Sequence, residues 1–375
     1  MTDISSGNVR ERDGQMTLVP CFRAEHLHPY IDLLRNIGAP LERSLRRAGL
    51  PTLIAAGDDI YLPLFPSLIF LNNITRIEGI DEAPLRAMGK FEIADLGEQF
   101  LARVSCVPTL KAALERFRDL VAVEDSNAMF GISYGETAVK LRMSARILLN
   151  AQDQYFDDWG DLLVMVAVVR AFAERAWQPL EMEFRSTVIP GRYAAEQFPD
   201  THFITGQKFT SITVPYELLS LPPRVTSDVS RSHASLPAAP PIAAVIGTDG
   251  SNSLRAVLSA YLPEQLPDIG LAAEMAGTSI RTLQRRLKEA ALSYSGLISE
   301  IRFEAAARLL RETDATALEI ALEIGYEDPS HFSRAFKRTA GISPREYRRQ
   351  HRQHQAGVPH NSRSIRTLCR SAPGP

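Results

Sequence analysis

"LAAEMAGTSIRTLQRRLK" (residues 271–288) returns in altered form as "EIALEIGYEDPSHFSRAFK" (residues 319–337). In each, an alanine precedes a glycine by four residues: Ala273 and Gly277, then Ala321 and Gly325. A small residue lets two helices cross closely, and glycine can take the left-handed conformation that ends the first of them. That is what the backbone of a helix-turn-helix requires. The second helices match at an offset of 49, pairing Leu283 with Phe332, Leu287 with Phe336, Arg285 with Arg334 and Lys288 with Lys337. The turn of the second copy is one residue longer. At about 100° per residue, Ile280, Leu283 and Leu287 form one stripe toward the core. Arg281, Arg285 and Lys288 fall opposite, with Gln284 beside them and Arg286 nearer the core stripe. In the second helix Phe332 and Phe336 point inward, while Ser330, Arg334 and Lys337 point outward, flanked by His331 and Ser333. Arginine, glutamine and serine can hydrogen-bond base edges, and arginine grips guanine with two bonds. Lysine more often holds a phosphate. One such helix is an ordinary solvated surface. Two copies sharing turn, apolar spacing and outward cations point to DNA.

Working outward, residues 253–352 read as an all-α domain, with helices expected at 253–262, 268–276, 279–290, 295–312, 317–324, 329–339 and 344–351. The joining helix from Ser295 to Glu312 would span about 27 Å, a length that suits two recognition helices about one DNA turn apart. Residues 353–375 have the composition of a disordered tail. Residues 221–252, dense in Pro, Ser, Ala and Gly, read as an interdomain linker. Before it, residues 20–220 mix helices and strands. "LHPYIDLLRNIG" and "PLERSLRRAGL" have helical spacing and end at glycine, and Thr109 is placed to cap "LKAALERFRDLVAV". "AMFGISYGETAVKLRMSA" alternates on both sides of Gly-Glu-Thr, as a hairpin does. "QYFDDWGDLLVMVAVVRAFAERAW" is a long helix, and "LEMEFRS" and "KFTSITVPYELL" are strands. The fold class is therefore multidomain, an α/β domain followed by an all-α domain with two helix-turn-helix units joined by a long helix.

Composition narrows the function. The chain of 375 residues carries a net charge of −2, which hides an asymmetry. Residues 253–375 hold 18 Lys/Arg against 13 Asp/Glu, and residues 1–252 hold 24 against 31. A basic C-terminal part is what a polyanion partner calls for. The polar start is no secretory signal, and the longest apolar run, "LLVMVAVV", is too short to cross a bilayer. Cys21, Cys106 and Cys369 are far apart and form neither a disulfide framework nor a zinc site. A cytoplasmic chain without membrane contact, cofactor or metal is expected. No nucleophile elbow, metal-binding His pair or dinucleotide fingerprint is present, so no catalytic residue is assigned. Asp157 and Asp158 read as helix-surface acids, because neighbours on a helix point in different directions.

"RTLQRRL", "IRFEAAARLLRETD" and "IALEIGYEDPSHFSRAFKRTAGISPREYR" together resemble the DNA-binding domain of the AraC/XylS family of transcription regulators. The resemblance implies double-stranded promoter DNA as partner, with Arg281, Gln284, Arg285, Ser330, His331, Ser333 and Arg334 at the family's base- and backbone-contacting positions. It also implies contact with RNA polymerase and activation of transcription, and it puts Tyr347 beneath the second unit. Ala291 stands where the family usually has glycine, so a left-handed end to the preceding helix is costlier here. "PLERSLRRAGLP", "PTLKAALERFRDL" and "FPDTHFITGQKFTSITVPYELLSLPPR" are similar to the arabinose-binding-like effector domain of one branch of that family. This implies a small-molecule effector, of unknown identity, and a possible homodimer. Arg103, Arg142, Arg146, Tyr134, Tyr155, Trp159 and His202 have the chemistry to contact an effector, but ordinary structural roles suit each better. The alternative is a ligand-independent repressor or architectural protein whose first domain only oligomerises.

Overall fold

In the computed structural model the described residues are 19–52, 54, 60–89, 92–96, 98–224 and 251–355. The linker expected over 221–252 and the tail expected over 353–375 lie almost wholly outside them. The chain divides into two compact units, residues 1–297 and 298–375.

The first unit opens with strand β1 (Cys21–Arg23) and helices α1 (His28–Asn36) and α2 (Leu41–Ala48). Gly49, at φ +74°, ends α2 in the left-handed region that glycine enters at no steric cost. Strand β2 (Tyr61–Pro63) pairs antiparallel with β1 and leads into α3 (Leu64–Glu78), α4 (Ala83–Met88), α5 (Glu98–Ser105) and α6 (Leu110–Glu124). As expected, the Thr109 hydroxyl caps α6, accepting from the Ala112 N–H at 3.3 Å. The expected hairpin forms from β3 (Ala128–Tyr134) and β4 (Ala138–Ala145), closed by the Gly135 N–H donating to Ala138 O at 2.9 Å. After α7 (Ala151–Arg170) come β5 (Glu181–Glu183), α8 (Arg192–Gln197), β6 (His202–Ile204) and β7 (Thr210–Pro215). The five strands form one sheet in the order β3-β4-β7-β5-β6, antiparallel except for β5 with β6. Alternation along β4 turns Val139, Leu141 and Met143 inward and leaves Lys140 and Arg142 on the other face, where the Arg142 guanidinium lies 5.4 Å from the Phe209 ring centroid.

Helix α7 is the spine of this core. Its apolar run is buried without a break from Leu162 to Val169, and no helix among the described residues is long and apolar enough to cross a membrane. Trp159 is fully buried, with the rings of Phe184, Phe203 and Phe198 centred 5.1, 6.1 and 6.3 Å away. Asp157 and Asp158 are not surface acids. Asp158 is 0% exposed and accepts from Arg185 Nε (3.1 Å), the Thr210 hydroxyl (2.5 Å) and the Ser186 N–H (2.7 Å), while Asp157 accepts from the same guanidinium at 2.7 Å. The two side chains do diverge around the helix, but the sheet brings an arginine to both.

The first unit also holds α9 (Ser251–Ser259), which packs on β2, α10 (Ile269–Met275), which packs on α3, and α11 (Ile280–Glu289), which packs on α10. Tyr261 Oη donates to Gly49 O at 2.7 Å, and Thr52 donates from both N and Oγ1 to Glu264 Oε1 at 2.5 and 2.9 Å. A Cβ at Gly277 would overlap the ring of Phe65 on α3. Helix α12 (Tyr294–Glu312) is 19 residues long, one more than expected, and the division between the units falls inside it. The second unit continues with α13 (Ala317–Glu323), α14 (Pro329–Ala340) and α15 (Pro344–Gln355).

Candidate nucleic-acid interface

Each helix-turn-helix is set by local capping. In the first, the Asp268 carboxylate accepts from the Leu271 N–H at 2.9 Å and starts α10. Gly277 then takes φ +58°, its N–H donates to Glu274 O, and the Thr278 N–H donates back to Ala273 O, both at 2.9 Å. The Ser279 hydroxyl accepts from Thr282 N and starts α11. In the second, Thr316 and Glu319 exchange both bonds of a capping box around the start of α13. Gly325 takes φ +76°, its N–H donates to Leu322 O at 3.1 Å, and the Tyr326 N–H donates to Ala321 O at 2.8 Å. Asp328, with Pro329 behind it, caps α14 through the Ser330 N–H at 2.7 Å. That donor holds the Asp328 carboxyl below its ordinary range. The alanine–glycine echo is thus one backbone motif made twice.

The inward stripes differ slightly from the sequence expectation. Leu283 and Leu287 are buried, at 0% and 1% exposure, but Ile280 is 45% exposed. Ile280 sits in the first turn of α11, where the preceding Thr278–Ser279 segment leaves its side chain uncovered. In the second unit Phe332 and Phe336 are buried and join Phe303, Tyr326 and Tyr347 in one aromatic cluster, with ring centroids 5.0–5.9 Å apart. Tyr347 therefore packs beneath α14, and Arg311 Nη1 donates to its hydroxyl at 3.0 Å.

On the outer face of α11 the side chains of Arg281, Gln284, Arg285 and Lys288 are exposed together. On α14, Ser330, His331, Arg334 and Lys337 are exposed and Ser333 is half-buried. At 100° per residue, 281, 285 and 288 span the same arc as 330, 334 and 337, so the two faces are replicas. Arg285 is engaged by Glu289 at 2.5 Å, and Arg334 Nε donates to Ser330 O at 3.3 Å. Both contacts are exposed pairs that cost little to exchange. Arg286 is half-buried with an unbonded Nε. Several arginines that make this part basic are occupied internally: Arg302 donates to Gly325 O and lies over Tyr326, and Arg348 donates to Leu310 O and Ala315 O. The charge count overstates the cations free to meet an anion.

Residues 272–350 match a family model described as a helix-turn-helix domain. They are similar to helix-turn-helix domains of the AraC type. Over this domain the chain is similar to an uncharacterized HTH-type transcriptional regulator of Mycobacterium tuberculosis, 44% identical over 69 residues, 18% of this chain and 20% of that one. It is also similar to the HTH-type transcriptional regulator MtrA of Neisseria gonorrhoeae, 36% identical over 89 residues, 24% of this chain and 30% of that one. The chain thus covers less than a third of the length of these relatives. Among solved structures, the transcriptional regulator CdpR from Pseudomonas aeruginosa is 19% identical over 83% of this chain and 96% of that one, with a TM-score of 0.37.

Sequence reasoning left one feature unseen. The first unit holds a partly open cavity of about 100 Å³, walled mainly by α1, α3, α6 and α7. None of Arg103, Arg142, Arg146, Tyr134, Tyr155, Trp159 and His202 lines it. Its walls include Asp157, Gly160, Asp161 and Val164, spaced as one stripe of α7. A polar, small stripe interrupting an otherwise apolar helix was the available signal.

Proposed function

We propose that this chain is a sequence-specific DNA-binding regulator of transcription, with residues 253–352 reading promoter DNA and residues 20–220 sensing a small molecule. The observation that carries the reading is the replicated unit: two identically closed turns, each followed by a helix with buried apolar residues below and Arg, Lys and hydrogen-bonding side chains above. Arg281, Gln284, Arg285, Ser330, His331, Ser333 and Arg334 read bases and nearby backbone, and Lys288 and Lys337 hold phosphates. Activation through RNA polymerase and self-association as a homodimer complete the proposal. The cavity supports the sensor role, since small-molecule sites are concave, mostly apolar and carry a few convergent polar groups.

The test is selection of duplexes from a randomised library by the full chain. An enriched sequence with two separate recognised segments is expected. Equal retention of all duplexes at physiological salt would remove the sequence-reading role.

A further inference from the structure

The cavity is apolar over most of its wall and acidic at one end. Phe117, Phe156 and Leu68 are among the residues lining the apolar part, whereas Glu124, Asp125, Asp157 and Asp161 are the charged groups that reach it, with His26 beside them. No lysine or arginine lines it among the described residues. The acids are short of positive charge. Among the described residues Arg185 is the one cation paired with Asp157, Asp158 and Asp161, at 2.7, 3.1 and 3.4 Å. Arg23 lies 3.6 Å from Glu25 and 3.8 Å from Glu124, and His26 Nε2 lies 3.5 Å from Glu124. Among the described residues these contacts set five carboxylates against two guanidiniums and one imidazole, with Asp125 beside them.

Glu124 points to what is missing. It is 8% exposed, it lines the cavity, and its Oε2 accepts no hydrogen bond, having only the looser ion-pair contacts with Arg23 Nε at 3.8 Å and His26 Nε2 at 3.5 Å. A buried acceptor left unbonded is costly, more so when charged. Burial, together with the charge of Asp157, holds the Asp161 carboxyl well above its ordinary range, and burial pushes Asp125 up to about 7. Each of these groups would ionise more readily beside a cation. A metal ion fits poorly: no group of three His, Cys, Asp or Glu side chains among the described residues converges to hold one. An anionic ligand would meet four carboxylates, and a neutral apolar one would leave Glu124 as it is.

We propose that this cavity binds a small protonated primary amine, its ammonium donating to Glu124 and Asp161 and its apolar body, on the order of one benzene ring, lying among the aromatic and aliphatic walls. An ammonium has three donors, so it can satisfy an orphaned carboxylate oxygen and still bond its neighbours. The proposal rests on the sensor reading of residues 20–220 and names the chemistry of the effector.

Benzylamine, benzyl alcohol and benzoate share one ring and differ in the charge of the head group. Titration calorimetry and thermal unfolding of the full chain at pH 7.5, without DNA, should show benzylamine binding one to one and raising Tm. Benzyl alcohol should bind at least tenfold more weakly and benzoate not at all. Glu124→Gln and Asp161→Asn should each weaken benzylamine roughly tenfold or more. Equal binding of the alcohol or the acid, no binding of any of the three, or amine binding untouched by both substitutions would overturn the proposal. Should either variant lose the wild-type circular dichroism spectrum, the three-ligand comparison on the unaltered chain still decides. DNA affinity is measured separately. A chain that selects duplexes yet ignores benzylamine loses this inference and keeps the regulator reading, and the reverse result does the opposite.

Discussion

Replacing Ala291 with glycine should stabilise the end of the first recognition helix. Ala291 is exposed and holds φ +56°, one of two non-glycine residues with positive φ among the described residues. It is held there by two bonds that close α11: its own N–H donates to Lys288 O at 3.0 Å, and the Leu292 N–H donates to Leu287 O at 2.8 Å. An L-residue in that region costs roughly 1–2 kcal/mol. Glycine removes this cost but brings back roughly 0.4–1 kcal/mol of unfolded-chain entropy. The difference is about 0.5–1 kcal/mol in favour of Ala291→Gly. Global unfolding of a two-unit chain is a blunt measure of so small a change. Amide hydrogen exchange is sharper: protection of the Leu292 N–H should rise about two- to fivefold, because a factor of ten is about 1.4 kcal/mol. Ala291→Val, β-branched and worse at positive φ, should lower the same protection. If glycine left Leu292 unchanged and valine were harmless, the left-handed closure would be refuted.

Arg334→Ala should cost about 1–3 kcal/mol on the selected duplex and little on others, whereas Lys337→Ala should weaken all duplexes alike and flatten the salt dependence. Equal losses on every sequence for Arg334→Ala would remove its base contact. Arg185→Met should destabilise the first unit by about 3–5 kcal/mol, because Asp157, Asp158 and Asp161 would be left buried without their guanidinium. Denaturant unfolding should show this loss shrinking as pH falls, because burial already raises the Asp157 and Asp161 carboxyls. The Asp125 carboxyl, raised from 3.8 to about 7 by burial and by Asp157, binds more protons folded than unfolded in that interval. Its contribution to stability is complete below about pH 4 and is lost as pH rises through 7. Asp125→Asn should therefore flatten the fall in Tm between pH 5.5 and 8, and an unchanged slope would show that Asp125 is not the group responsible.

The parts of the fold that were legible in the sequence are those settled within one or two turns of chain. Ser279, Asp328, Thr316 with Glu319, Gly49 and Thr109 each act on residues two to four positions away, so spacing alone located the helices they bound. The hairpin at Gly135 and the replicated faces of α11 and α14 follow from period and offset in the same way. What the sequence concealed depends on partners far along the chain. The pairing of Cys21–Arg23 with Tyr61–Pro63 joins segments of three residues about forty apart, too short for alternation to register. Asp157 and Asp158 looked solvated because Arg185 arrives from the segment just after β5, 27 or 28 residues later. The acidic end of the cavity is likewise assembled from α6 and α7, and neither helix declares it alone.

Helix α3 stands between two neighbours. Leu64, Ser67, Leu68 and Leu71, one stripe of its surface, border the cavity, while Phe65, about a quarter-turn away, sits against the bend at Gly277. Handedness at that bend asks for a residue tolerant of positive φ, which asparagine can be, but the phenyl ring also forbids any side chain. The occupant of position 277 thus faces a limit on bulk that Gly38 and Gly341, with open space around them, do not. One rod, about 10 Å thick with its side chains, is shared by a chamber and the turn that leads into α11, and no slack segment lies between them to absorb a sideways push.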